Sequence, residues 1–141
     1  MSKLPIVIVD ADAIIAQANS EDIHHRKATI VSQKLIKMNA QVIYPATAVA
    51  EAATHMQRVL NSTAGAYGIA VLMSEPGAQV AEINKQTIAT ALAYFSPVTS
   101  KKNTLFDCIV AAVALEYGAD AIFSFDQFYV KKGFKLAESL K

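Results

Sequence analysis

The sequence predicts an α/β fold, a three-layer α/β/α sandwich around a mainly parallel sheet of four to five strands. Two observations carry this. The run Ile6-Val7-Ile8-Val9 is continuously β-branched, as in a strand covered on both faces of a parallel sheet. Such short runs then alternate along the chain with longer stretches of helical period. A third observation says where to look for chemistry. Acids stand directly behind strands, and ligands of open parallel sheets gather outside the carboxyl ends of the strands.

The elements follow in order. Strand Ile6–Val9 ends at Asp10, and Ala13 to Ala18 reads as a short helix. Ser20 is placed to cap the next helix, with Glu21 and Asp22 in a first turn where the dipole favours them. That helix carries Ala28, Val31, Leu35 and Met38 on one stripe, with Lys27, Lys34 and Lys37 largely off it. Gln41 to Tyr44 is a strand ended by Pro45, and Ala46 to about Leu60 a helix with Val49, Ala53, Met56 and Leu60 as its apolar face. Across Ser62 to Met73, Gly65 and Gly68 weaken helix propensity. Glu75-Pro76-Gly77 is a turn, Val80 to Ile83 a short strand, Asn84 to Phe95 a helix, and Ser96 to Asn103 a loop. Thr104 caps a strongly apolar helix that runs to about Tyr117 and stops at Gly118. Ala121 to Phe123 is a strand, Asp126 to Lys132 one or two helical turns, and Phe134 to Leu136 a last edge strand.

The 141 residues and 15.1 kDa correspond to one compact domain, 1–141, large enough to bury roughly 68–70% of its unfolded surface without staples. An apolar fraction of 53% with 18% charged residues excludes a disordered tail. The single cysteine, Cys108, excludes a disulfide scaffold and a multi-cysteine metal site. The longest apolar run, Cys108 to Leu115, is far short of the ~20 residues that span a bilayer, and Leu4 to Val9 is too short for a secretory signal. The expected setting is the cytoplasm. The net charge of +1 argues neither for nor against nucleic acid, since clustering of basic residues decides that.

Five of the 12 carboxylates sit in apolar company. Asp10 and Asp12 follow the first strand, Glu51 lies among Ala48, Val49, Ala50, Ala52 and Ala53, Asp107 opens the apolar helix, and Asp126 lies between Phe125 and Phe128. Each has an ordinary reading: Asp10 and Asp126 as helix caps, Asp107 at a capping-box position behind Thr104, Glu51 paired with His55 or Arg58. Together they are harder to explain away. A carboxylate taken out of water needs a partner or a cation, and no matching set of buried lysines or arginines accompanies these. A hard divalent cation with oxygen ligands, Mg²⁺ or Mn²⁺, is the economical explanation. The spacing fits neither an EF-hand loop nor a zinc motif.

These residues resemble the PIN domain, and among PIN domains the small VapC-type toxins of toxin–antitoxin pairs. The resemblance covers essentially the whole chain. It rests on Asp10 behind Ile6-Val7-Ile8-Val9, Glu51 in the third helix, Asp107 opening the helix that ends Ala114-Leu115-Glu116-Tyr117-Gly118-Ala119, and Asp126 in Phe123-Ser124-Phe125-Asp126-Gln127-Phe128. It implies that Asp10, Glu51, Asp107 and Asp126 hold one or two Mg²⁺ or Mn²⁺ ions and cleave RNA. A masking antitoxin protein and a homodimer are the partners it implies. The family usually carries Ser or Thr where this chain has Asp12, a fifth carboxylate that can join the metal shell.

For RNA contact the candidates are Lys101 and Lys102 before Asp107, Lys131, Lys132 and Lys135 after Asp126, and His55 and Arg58 on the face of Glu51. Ordinary solvated lysines are the competing reading. His24 and His25 are adjacent, so on a helix they diverge and cannot form an acid–base pair. Tyr67, Tyr94 and Tyr129 read as packing residues rather than base-stacking ones, and Cys108 as an inert buried thiol. Two rival classes stand beside this reading. Asp10 and Asp12 also suit a haloacid-dehalogenase-like phosphohydrolase, against which stand Ile14 two residues beyond and the lack of a late Gly-Asp-x-x-x-Asp. The other rival is a non-catalytic PIN-like interaction module, against which stands the full set of acids.

Overall fold

The computed structural model describes residues 3–141. Its sheet has four strands, β1 (Ile6–Val9), β2 (Gln41–Pro45), β3 (Val80–Ala81) and β4 (Ala121–Phe123). All pairings are parallel and the order is β3-β2-β1-β4. Parallel neighbours need crossovers, and helices supply them. α1 (Ala11–Ala18) and α2 (His25–Lys37) join β1 to β2; α3 (Ala46–Arg58) and α4 (Thr63–Met73) join β2 to β3. α5 (Lys85–Ala91) and α6 (Leu105–Glu116) join β3 to β4, and α7 (Phe128–Lys131) follows. Val7 lies opposite Val42 on one side and Ala121 on the other. Val7, Ile8 and Val9 are fully buried, which is what their unbroken β-branched run requires.

After β1 the chain winds outward through β2 and β3, then returns to add β4 on the opposite edge of β1. The strand order therefore switches at the β1–β4 pair, and a crevice forms at the carboxyl ends of those two strands. α6 backs it. Residues Cys108 through Ala114 of this helix are all buried, so it is apolar all round rather than amphipathic.

Several expectations are corrected. Phe134–Leu136 is no edge strand: it contributes one parallel bridge, Ile122 with Leu136, before a 3₁₀ turn at Ala137–Ser139, so the sheet has four strands among the described residues, within the expected four to five. β3 stops at Ala81, opposite Pro45, because β2 ends there and offers no further partner. α1 starts at Ala11 rather than Ala13, with Asp10 as its N-cap. Ser20 caps nothing. The stretch before α2 is held instead by turns in which Asn19 Oδ1 accepts from Glu21 N at 3.1 Å and Asp22 Oδ1 from His24 N at 2.8 Å. α3 ends at Arg58 and buries Ala48, Ala52 and Met56, leaving Leu60 beyond it, just before Asn61 at φ 53°. α5 closes at Ala91 in tight turns, with Tyr94 N donating to Ala91 O at 2.9 Å.

The glycine-weakened segment is α4. Ser62 Oγ accepts from Gly65 N at 3.0 Å and caps it. A Cβ at Gly65 would lie 2.5 Å from Met56 Cε and 2.7 Å from Ser62 Oγ, so that glycine permits α4 to approach α3. Helix propensity is lost at one position in exchange for close packing.

Candidate active site

Each acid reaches the crevice for a local reason. Asp10 and Asp12 stand at the turn from β1 into α1. Asp107 is the N3 residue of a capping box on α6, where Asp107 Oδ2 accepts from Thr104 N at 3.0 Å. Asp126 closes the turn after β4, its Oδ1 accepting from Phe128 N at 2.9 Å. Glu51 comes from the middle of α3. The cap readings and the site reading are thus compatible: the same carboxylates do both.

The acids are linked through neutral donors. Ser124 Oγ lies 2.9 Å from Asp12 Oδ2 and 3.2 Å from Asp10 Oδ2, and Phe125 N donates to Asp12 Oδ2 at 2.8 Å. Tyr129 donates its hydroxyl to Asp10 Oδ2 at 2.8 Å and stands 3.5 Å from Asp107 Oδ1. Asn103 Nδ2 donates to Asp126 Oδ2 at 2.9 Å and lies 3.5 Å from Asp107 Oδ2. Ser124, Asn103 and Tyr129 are residues the sequence reading missed or misassigned. Tyr129 is a buried member of the acidic network, and its 0% exposure removes it from any base-stacking role. The signals were there: Ser124 is two residues before Asp126 and Asn103 directly precedes the cap Thr104.

Electrostatics follow from this crowding. Asp10, 4% exposed, titrates well above the usual carboxylate range, through burial and then the charge of Asp12, against the opposing hydrogen bond from Tyr129. Burial also raises Asp12, against the bonds from Phe125 N and Ser124, and raises Asp107, against the bond from Thr104 N. Glu51 is pushed up to about 7 by burial and by the charges of Asp107 and Asp12. Burial and the neighbouring carboxylates keep the Tyr129 phenol protonated, hence a donor.

Among the described residues two carboxylate oxygens have no hydrogen-bond partner although buried, Asp12 Oδ1 and Glu51 Oε1. Thr47 Oγ1, one helical turn before Glu51 on the same face of α3, is likewise buried without a partner. Unsatisfied buried oxygens are uncommon and costly. Here they are carboxylate and hydroxyl oxygens, a donor set that suits a hard divalent cation. Among the described residues no three Asp, Glu, His or Cys side chains close on one point as in a finished metal cage. The bridging hydroxyls and amide stand between the carboxylates instead. A carboxylate oxygen that accepts one hydrogen bond can still face a cation, so the residues fit such an ion through Asp12 and Glu51 with Asp10, Asp107 and Asp126 beside them.

The basic candidates divide. Lys102 and Lys131 line a cleft of about 530 Å³ together with Asp12, Asp126, His24 and Phe125. Arg58 and His55 line another, of about 500 Å³, with Glu51 and Phe106. Lys101 borders a different depression, beside Phe95 and Leu105, and Lys132 holds its ammonium 5.5 Å from the Phe128 ring centre. The two histidines diverge: His24 stacks on Phe125 at 4.4 Å, and His25 Nδ1 bonds the carbonyl of Ala16. Cys108 is buried.

A parallel sheet with an acid-lined crevice at its switch point defines the class, and the sequence agrees: residues 7–135 match the PIN domain family model, so the chain belongs to the PIN domain family. Among solved structures the chain is similar to the VapC20 toxin of Mycobacterium tuberculosis, which is described as cleaving the sarcin–ricin loop. The two share the fold with a TM-score of 0.78 at 17% identity, over 91% of this chain and 95% of that one. No curated protein matches the chain. Among the described residues no helix is long and apolar enough to cross a membrane.

Proposed function

We propose that this protein is a divalent-metal-dependent endoribonuclease, a toxin of the VapC kind, that hydrolyses RNA phosphodiester bonds with water as nucleophile. The observation that carries the reading is the set of buried, unpartnered oxygens on Asp12 and Glu51 beside Asp10 and Asp107, at the switch point of a PIN fold. Bound Mg²⁺ or Mn²⁺ supplies an acidified water and charge compensation for the phosphate. Asp10, Glu51, Asp107 and Asp126, the last held by Asn103, would hold the ion together with Asp12.

The chain's own groups supply the remainder. Without metal Glu51 titrates at about 7, so a cation taken up there near neutral pH displaces a proton. Lys102 and Lys131 hold the phosphates of the RNA on one side of the acids, and Arg58 holds them on the other. Neither histidine is needed, and neither is the RNA 2′-hydroxyl. The same reading assigns the protein to the cytoplasm as a homodimer, kept in check by a cognate antitoxin protein.

The test is cleavage of 5′-labelled single-stranded and hairpin RNA with Mg²⁺ or Mn²⁺ against chelator, with Asp107→Asn purified in parallel. Cleavage that needs metal, disappears in Asp107→Asn and leaves 5′-phosphate and 3′-hydroxyl ends supports the reading. Products with 2′,3′-cyclic phosphate, or equal activity in the variant, refute it.

A further inference from the structure

We propose that Tyr129 is a positioning residue of the acidic site, its hydroxyl holding Asp10 beside Asp107 in the arrangement in which the two receive a divalent cation. The inference rests on the metal-dependent reading above and extends it to a residue outside the carboxylate set. Tyr129 is fully buried, edge-to-face with Phe128 at 5.3 Å, and its carbonyl accepts from Phe134 N at 3.0 Å, so both ring and backbone are fixed. The hydroxyl is thereby delivered to one point, between the end of β1 and the start of α6.

The bonds available to the two carboxylates show why that point matters. Asp10 Oδ1 accepts from Ala11 N at 2.7 Å, which leaves Oδ2 to be fixed by a side chain. Ser124 has one hydroxyl proton and lies nearer to Asp12 than to Asp10, so Tyr129 at 2.8 Å is the close side-chain donor of Asp10. Asp107 is anchored through Oδ2 by Thr104 N, while Oδ1 has Tyr129 as its neighbour at 3.5 Å. Asp10 and Asp107 repel each other, and the single hydroxyl proton of Tyr129, given to Asp10 at 2.8 Å, fixes that carboxylate against the repulsion without adding a charge a cation would have to overcome. A phenylalanine would fill the same space, so ring packing alone does not account for the hydroxyl.

Calorimetric titration of the intact protein with Mn²⁺, without RNA, tests this in wild type and Tyr129→Phe. Supporting ligand contacts of this kind are typically worth about 10–100-fold in metal affinity. The expected result is a loss of at least about tenfold, with RNA cleavage by the variant recovering toward wild type as Mn²⁺ is raised. A folded variant that binds Mn²⁺ within about twofold of wild type overturns the positioning role while leaving the nuclease reading intact. If wild type itself binds no Mn²⁺ and cleaves no RNA, the nuclease reading fails and this inference with it. If Tyr129→Phe does not fold, Tb³⁺ luminescence of wild type decides. Bound Tb³⁺, verified by direct excitation, should also emit on tyrosine excitation and be displaced by Mn²⁺, and silence on tyrosine excitation overturns the inference.

Discussion

The side-chain amide of Asn103 donates to Asp126 Oδ2 across 2.9 Å, tying the loop before α6 to the turn after β4. The same amide stands 3.5 Å from Asp107 Oδ2, so one neutral group holds together two acids that arrive on different elements. Removing it in Asn103→Ala is expected to cost about 1 kcal/mol of stability, the usual worth of one such bond, and to lower RNA cleavage more than the stability change explains. Thermal unfolding read beside single-turnover cleavage checks this. An unchanged cleavage rate would show that Asp126 needs no tether.

The raised carboxylates make metal-free stability fall with rising pH. Asp10, Asp12, Asp107 and Glu51 hold protons in the folded state that the unfolded chain has already released. Their favourable contribution is complete below the unfolded values and disappears as pH climbs through the folded ones, with Glu51 the marker at about 7. The melting temperature without metal should decline from about pH 5 to about pH 8, and Glu51→Gln should flatten the upper part of that decline. Added Mn²⁺ should stabilise most at the high end, where protons no longer compete for the carboxylates. Melting curves in chelator and in Mn²⁺ measure both effects.

Lys102 and Lys131 share a cleft with Asp12 and Asp126, whereas Lys101 borders a different depression. Replacing Lys102 or Lys131 by Ala should weaken RNA binding across sequences and reduce the salt slope of log affinity by about one each. Lys101→Ala should change neither. Filter binding with catalytically inactive protein over a range of salt separates the two groups.

Gly65 of α4 lies against the Met56 side chain of α3. Gly65→Ala would set a methyl group against Met56 Cε and the capping hydroxyl of Ser62, so it should destabilise by roughly 1–3 kcal/mol despite alanine's better helix propensity. Gly68, with nothing within 4 Å of an added Cβ, is the control: Gly68→Ala should be neutral or stabilising. Chemical denaturation of the two variants distinguishes packing from propensity.

What was legible in the sequence was what depends on local pattern. The β-branched run of β1, the alternation with helices and the Thr104–Asp107 cap follow from neighbouring residues alone, and so does the stop at Gly118, found at φ 59°. The gathering of acids was legible because carboxylates in apolar segments need a shared reason. What escaped depends on partners distant in sequence. α4 looked unfavourable until Met56 is seen against Gly65. Tyr129 looked like packing until its hydroxyl is seen on Asp10, 119 positions away. Ser20 looked like a cap because the turns through Asn19 and Asp22 have the same composition as a helix start.

The β1–β4 pairing also sets when the acidic crevice can form. Asp10 N donates to Phe123 O at 3.0 Å, and Ser124, Asp126 and Tyr129 all lie on the segment that β4 brings in. A ribosome making this chain must therefore have passed β4 before the two halves of the crevice can meet. Until then the growing polypeptide carries Asp10, Asp12 and Glu51 without their counterparts, with one edge of β1 unpaired. The acidic site is thus unassembled until β4 has been made. A chain cut short at Gly118 should be inert toward RNA and prone to stick through that open edge.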